Sequence, residues 1–248
     1  MFIVSEMEKV KAEILNIAHR GCSSLYPENT LSSFRKALEI GVDGIELDVR
    51  FTKDKEIVII HDASVDRTTN GKGRVSELTL KQIKKLSIIE RKSGRLTQER
   101  IPLLKEVIDL IKNKTTLWIE MKEEGGEEEI IKLLEREGVI NNVVLISFNP
   151  QSLKKVKEID PLISTGIIVG NTRGTSSNFL ERVLGCYAEI VDMEQKFINE
   201  EIVKVTHSHG RMVGVWTVNE RKKMKKFIEM GAEVLTTDYP QVLKELLV

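Results

Sequence analysis

Residues 44–62, GIELDVRFTKDKEIVIIHD, read as a strand, a tight turn and a second strand, and the fold turns on how they are read. Alternation puts Ile45, Leu47 and Val49 on one face of the first strand, where helices can cover them, and Glu46 and Asp48 on the other. Two carboxylates on the far face of a buried strand are costly unless a cation lies between them. Only the six residues 51–56 separate the two strands, too few for a crossover, so the strands pair antiparallel. The return strand brings His61 back to about the level of the carboxylates. The stretch offers either a divalent cation held beside a histidine or a carboxylate pair answered by Arg50 or Lys53.

Outward from this hairpin, short apolar strands alternate with amphipathic helices. Strands are expected at Ile14–Ala18, Gly44–Val49, Thr116–Met121, Val143–Phe148, Ser164–Val169, Glu189–Asp192, Met212–Val218 and Glu233–Thr237. Asn29 is the expected cap of a helix carrying Leu31, Phe34 and Leu38, which Gly41 stops. Pro102 precedes a helix with Leu104, Val107, Ile108 and Ile111, and Gly138 ends one with Ile130, Ile131 and Leu134. Asn199 and Gly210 bracket another, Asn219 and Gly231 the next, and Asp238 with Tyr239 and Pro240 starts the last.

With Ile57–Ile60 set aside, eight strands remain, each followed by a helix, which is the pattern of a (β/α)₈ TIM barrel. The antiparallel strand then belongs to an insertion at about 50–100, between the second strand and its helix. Residues 1–248 thus read as a single barrel domain with a small lobe at its C-terminal mouth. A doubly wound sheet is the alternative, but no glycine-rich phosphate loop follows the first strand as that class often shows.

Composition narrows the function. At 248 residues, 41% apolar and 31% charged, the chain can bury a sizeable core. Its 38 basic and 38 acidic residues cancel, so no global field favours nucleic acid or an anionic membrane. Cys22 and Cys186 form no metal-binding or redox motif. The opening MFIVSEMEKVKAEIL lacks the basic and continuous apolar regions of a signal peptide, and no apolar run approaches the roughly 20 residues that span a bilayer. A cytoplasmic protein is the expectation.

A barrel gathers its chemistry at C-terminal strand ends. His19 and Arg20 end the first strand, Glu46 and Asp48 lie near the end of the second, Glu120 and Lys122 end the third, Trp216 closes the seventh and Asp238 follows the eighth. Three hard oxygen ligands without a cysteine favour Mg²⁺ or Ca²⁺ over Zn²⁺. Of four histidines, His19 and His61 reach the mouth from different segments, as a general base and a general acid must. His207 and His209, in THSHGRM at a helix end, read as structural or surface groups. Arg20 and Lys122 suit a phosphate, or act as counter-ions for the carboxylates.

Together HRG at 19–21, PENT at 27–30, ELDV at 46–49, HD at 61–62, DRTTNGKG at 66–73, EMK at 120–122, WTVN at 216–219 and TDYP at 237–240 form a pattern. In that order, across nearly the whole chain, it resembles the bacterial glycerophosphodiester phosphodiesterases. The resemblance implies a divalent ion (Ca²⁺ or Mg²⁺) on Glu46, Asp48 and Glu120, an acid–base pair at His19 and His61, and phosphate contacts from Arg20 and Lys122. It implies further that Trp216 forms an apolar wall and that Glu28 orients Arg20 or lines the site. The implied reaction is hydrolysis of a small glycerophosphodiester to glycerol 3-phosphate and an alcohol such as choline or ethanolamine. Cys22 stands where the pattern has a small residue, and the middle of the insertion drifts from it, which leaves the head group open.

Two other readings share this mouth. A lysophospholipase D-like phosphodiesterase would use the same site and want an apolar rim for an acyl chain, whereas 71–100 is mostly polar and basic. A catalytically inactive phosphate-binding barrel would be expected to lose a histidine or a carboxylate, and all five positions are filled here. A metal-dependent lyase or isomerase would want a lysine base or ligands on middle strands, and VVLISF and STGIIV offer none. Oligomeric state has no sequence signal.

Overall fold

In a computed structural model, which describes residues 14–90, 93–170, 183 and 185–248, the strand carrying ELDV extends over Gly44–Phe51. Its Ile45, Leu47 and Val49 are buried beneath the helices, together with Phe34 and Ala37 of the preceding helix. In chain order the strands are β1 (Leu15–Ala18), β2 (Gly44–Phe51), β3 (Ile57–Ile59), β4 (Thr116–Met121), β5 (Val143–Ser147), β6 (Ser164–Val169), β7 (Ile190–Glu194), β8 (Met212–Trp216) and β9 (Val234–Thr237). All but β3 run parallel, in the order β1-β9-β8-β7-β6-β5-β4-β2, and β1 pairs with both β9 and β2, so the sheet closes into an eight-stranded barrel. A doubly wound sheet would have two open edges.

Two layers of apolar side chains follow from strand alternation. Ile17, Trp118, Val144, Ile146, Ile168, Ile190 and Val234 fill the barrel interior. The alternate positions, such as Ile119, Leu145, Val191 and Val213, meet the helices outside. Full burial of each such side chain contributes about 1.5–3 kcal/mol, so Ile119→Ala would cost about 2–5 kcal/mol.

The α-helices whose bounds lie among the described residues are α1 (Leu31–Ile40), α2 (Leu80–Ile83), α3 (Leu104–Ile111), α4 (Glu127–Arg136), α5 (Pro150–Ile159), α6 (Glu200–Ser208), α7 (Arg221–Met230) and α8 (Pro240–Leu247). Leu104, Val107, Ile108 and Ile111 form the buried stripe of α3, and Ile130, Ile131 and Leu134 that of α4. The helix expected after β6 falls on residues outside those described. No helix among the described residues is long and apolar enough to cross a membrane.

Three expected helix starts move by one residue. Thr30, not Asn29, caps α1: its hydroxyl accepts from Ser33 N at 3.2 Å while Ser33 Oγ accepts from Thr30 N at 3.3 Å. Glu220 rather than Asn219 precedes α7, and Tyr239 rather than Asp238 precedes α8. In each case the displaced residue has turned its side chain toward the barrel mouth.

Between β2 and α3, β3 lies antiparallel on β2 with Val49 opposite Ile59 and Phe51 opposite Ile57. Val58 of β3 and the segment that follows bury a cluster of their own, with Ile60, Val65, Val75, Ile83, Ile88 and Ile101. Thr79 and Gln82 form the capping box of α2.

Candidate active site

Strand register builds the centre of the mouth. Because β2 and β4 are parallel with Asp48 level with Glu120, both side chains leave the sheet on its inner face, and Glu46 lies one inward position below. One ligand oxygen from each of Glu46, Asp48 and Glu120 lies within 4.8 Å of the other two, and all three residues are buried.

Two cations answer these three carboxylates. Lys122 Nζ lies 2.9 Å from Asp48 Oδ1 and 2.5 Å from Glu120 Oε1, and Arg20 Nε lies 3.2 Å from Asp48 Oδ2. Glu46 Oε2 accepts from the Arg20 backbone N–H at 2.9 Å and makes no ion pair with a described side chain. Arg50 turns away to Glu123 and to the His61 carbonyl, and Lys53 pairs with none of the three, so the alternative counter-ions are not used.

Electrostatics follow from that imbalance. Burial, with repulsion from Asp48 and Glu120, pushes the Glu46 carboxyl well above its ordinary range. Glu120 is pushed up to about 7, chiefly by burial and against the pull of Lys122. Burial also acts on Asp48, but Lys122 and Arg20 outweigh it and hold that carboxyl low. Three buried oxygen donors with less than full compensation fit a divalent cation of the Ca²⁺ or Mg²⁺ type.

Two imidazoles stand at this mouth with the same mounting. His19 Nδ1 lies 2.6 Å from Asp238 Oδ1, and His61 Nδ1 lies 2.7 Å from Asp62 Oδ1. Burial, with Lys122 and Arg20 adding to it, lowers the pKa of His61 against the opposing pull of Asp48. Asp238 is held at about 2: burial opposes this, and hydrogen bonds from His19, Asn219 and Ser23 win.

Those contacts explain the displaced caps. Asn29, at φ 57°, donates through Nδ2 to Asp48 Oδ2 at 2.7 Å. Asn219 donates through Nδ2 to Asp238 Oδ2 at 2.6 Å and accepts the Asp238 backbone N–H at 2.9 Å. Both asparagines, and Asp62 and Asp238 with them, lie inside quoted motifs (PENT, WTVN, HD, TDYP), which was the signal available for finding them.

The β1–α1 loop is fixed by close approach. Gly21 sits at φ +79°, and a Cβ there would come 2.7 Å from the Ser33 carbonyl carbon. Glu28 Oε1 accepts from Arg20 NH1 at 2.8 Å. Trp216 packs edge-on against Phe148, with ring centroids 5.6 Å apart, and donates through Nε1 to the Asp192 carbonyl at 3.0 Å.

A cleft of about 570 Å³ opens beside His19 and Arg20, lined also by Tyr26, Glu28, Asp238 and Tyr239. A second, of about 240 Å³, runs past Glu120, Lys122 and Phe148. His207 and His209 are in neither. His207 Nε2 pairs with Glu233 Oε1 at 2.9 Å, and His209 Nδ1 lies 2.8 Å from the Val205 carbonyl. Both are at the opposite end of the barrel strands from the mouth.

Comparison with known proteins identifies a family. The model of the glycerophosphoryl diester phosphodiesterase family matches residues 19–242. A glycerophosphodiester phosphodiesterase of Caldanaerobacter subterraneus subsp. tengcongensis is 38% identical over 94% of this chain and 97% of its own. One from Bacillus subtilis is 31% identical over 94% and 86%. Among solved structures, an Oleispira antarctica phosphodiesterase in complex with the product sn-glycerol-3-phosphate superposes with a TM-score of 0.83 at 30% identity, covering 92% of this chain and 94% of that one.

Proposed function

We infer, since the chain belongs to the glycerophosphoryl diester phosphodiesterase family, that its barrel mouth releases glycerol 3-phosphate and an alcohol by paired histidine acid–base catalysis. The chain is a glycerophosphodiester phosphodiesterase, and hydrolysis of glycerophosphodiesters is its activity. The finer reading takes residues 1–248 as one catalytic domain.

One observation carries it: the matched mounting of His19 on Asp238 at 2.6 Å and His61 on Asp62 at 2.7 Å. A carboxylate at Nδ1 fixes a proton there and leaves Nε2 to take or give one. One imidazole, in its neutral form, removes the proton of the attacking hydroxyl. The other, charged, protonates the oxygen of the leaving alcohol. Arg20 and Lys122 put positive charge beside the phosphate oxygens, and Glu28 holds the Arg20 guanidinium. Glu46, Asp48 and Glu120 would hold Ca²⁺ or Mg²⁺, which when bound supports the negative charge that develops on the phosphate. Trp216 with Phe148 gives the substrate an apolar wall.

Glycerol's own 2-hydroxyl fits the attacking role. Two histidines able to exchange acid and base roles suit formation of a cyclic phosphate and then its hydrolysis, since the second step reuses the pair in reverse. Attack from within the substrate also benefits from effective molarities on the order of 10⁵–10⁸ M.

Release of glycerol 3-phosphate from a panel of glycerophosphodiesters, with and without chelator, tests the reading. His19→Ala and His61→Ala should each lower kcat by about 10²–10⁴. Undiminished release by both variants would overturn the assignment. A second reading has an observation of its own: Leu25, Tyr26 and Tyr239, at the rim of the larger cleft, are 52%, 42% and 38% exposed. Such a rim suits the acyl chain of a lysophospholipid, so lysophosphatidylcholine belongs in the panel, and its preferred turnover would favour that substrate.

A further inference from the structure

Arg67, in the DRTTNG run of the insertion, has no part in the reaction above, yet it joins two halves of the site. Its NH1 and NH2 donate to Glu28 Oε2 and Oε1, each at 2.8 Å. Its Nε and NH2 donate to Asp62 Oδ2 and Oδ1 at 2.6 and 3.0 Å. Beyond Glu28 stands Arg20, whose NH1 shares Oε1 at 2.8 Å. Beyond Asp62 stands His61, 2.7 Å from Oδ1. One guanidinium fork therefore separates the arginine assigned to the phosphate from a histidine assigned to proton transfer.

The other histidine has no such link. Asp238 is held by neutral donors, Ser23 Oγ at 3.0 Å and Asn219 Nδ2 at 2.6 Å, all from the β1, β8 and β9 ends of the barrel. His61 alone is mounted through the insertion. The four Arg67 bonds use four separate N–H groups, Nε and one NH2 hydrogen toward Asp62 and NH1 and the other NH2 hydrogen toward Glu28, so carboxylates occupy both edges of the fork. A guanidinium committed in this way acts as a strut between side chains.

We propose that Arg67 is a positioning residue that holds the His61–Asp62 pair and the Glu28–Arg20 pair in one frame, so that the insertion sets His61 against the phosphate. The proposal rests on the assignment of His61 and Arg20 to the reaction. Loss of the strut removes no group that touches substrate but frees the Asp62 carboxylate, and His61 with it, to rotate, and misplacement of about 1 Å can cost on the order of 10²-fold in rate.

Two measurements on the full chain test this. In steady-state turnover of glycerophosphocholine, Arg67→Ala should lower kcat about 10–100-fold with KM changed less than about threefold. Arg67→Lys should recover little of it, because an ammonium cannot fork to both carboxylates. In the Asp62→Asn background Arg67→Ala should cost clearly less than it does in the wild type, since the path from Arg67 to His61 runs through Asp62. Additive losses, or full activity of either Arg67 variant, would overturn the proposal.

The second measurement needs no turnover. In spectra of protein labelled with ¹⁵N-histidine, Arg67→Ala should shift or broaden the His61 Nδ1–H resonance, identified by its absence in His61→Gln, and leave that of His19 in place. An unchanged His61 resonance refutes the strut even if the wild type hydrolyses no glycerophosphodiester. Wild-type inactivity by itself counts against the assigned reaction instead. An intact His19 resonance also shows that the variant has folded.

Discussion

Asp192 on β7 faces the barrel interior beside Ile168 and Ile190, and its Oδ1 has no hydrogen-bond partner among the described residues. Gly214 opposite makes room for it: a Cβ there would stand 2.5 Å from that oxygen. Burial, with Glu120 adding to it, pushes the Asp192 carboxyl up to about 8, from an ordinary value of 3.8. The folded state thus holds a proton that the unfolded chain gives up near 3.8, so stability falls as pH rises from about 4 to about 8. Asp192→Asn should therefore stabilise the protein by on the order of 2–4 kcal/mol near pH 7.5 and by little near pH 4.5, as urea unfolding at the two pH values would show. Glu46 carries the same sign with a different remedy. Its raised carboxyl costs stability at neutral pH while no cation is bound. Glu46→Gln should raise the melting temperature of chelator-treated protein by about 2–4 °C and abolish the further rise that Ca²⁺ or Mg²⁺ gives the wild type. A chelated wild type that melts no lower than the variant would count against repulsion within the triad.

The elements that matter most for chemistry are the short connections after the strands. A cap asparagine stabilises a helix by about 1 kcal/mol and leaves chemistry alone. Asn219 instead holds both the backbone and the side chain of Asp238. Asn219→Ala should lower kcat about 10–100-fold, as loss of an orienting hydrogen bond does, with a melting temperature within a few degrees of wild type. Asn199, which does cap α6 by accepting from Ile202 N at 2.9 Å, gives the control: its alanine variant should lose about 1 kcal/mol and keep its kcat. Equal kinetic effects of the two substitutions would return Asn219 to the role of a cap.

Across the whole molecule the two pairs of histidines stand at opposite ends of the barrel. His19 and His61 stand at the C-terminal strand ends, and His207, paired with Glu233 just before β9, stands at the other. His207→Ala should leave kcat within about twofold of wild type and cost no more than about 1 kcal/mol of stability, since its ion pair is partly exposed. Internal attack makes a molecular prediction as well. A substrate lacking the glycerol 2-hydroxyl should bind but turn over at least about 10²-fold more slowly under saturating divalent ion, given the loss of an oriented nucleophile. Comparable kcat for analogue and parent would point to attack by water.

Strand count, the inward face of ELDV, the antiparallel return to His61 and the candidate triad were all legible in the amino-acid sequence. The strands, the inward face and the return follow from local alternation and short connections, and the triad follows from the rule that a barrel gathers its polar groups at C-terminal strand ends. Strand ends shifted by a residue or two, as with β2, which runs on to Phe51 because β3 pairs with it there. The partner that each polar side chain takes emerged with the folded barrel. Asn29 and Asn219 look like caps because a cap and a site ligand want the same short amide before a helix. Their choice depends on Asp48, 19 residues away, and Asp238, also 19 away, arriving on neighbouring strands. Arg67 reaches Glu28 across 39 residues, and His19 reaches Asp238 across 219. No local pattern encodes such contacts, because closure of the barrel, with β1 hydrogen-bonded to both β2 and β9, is what brings those segments together.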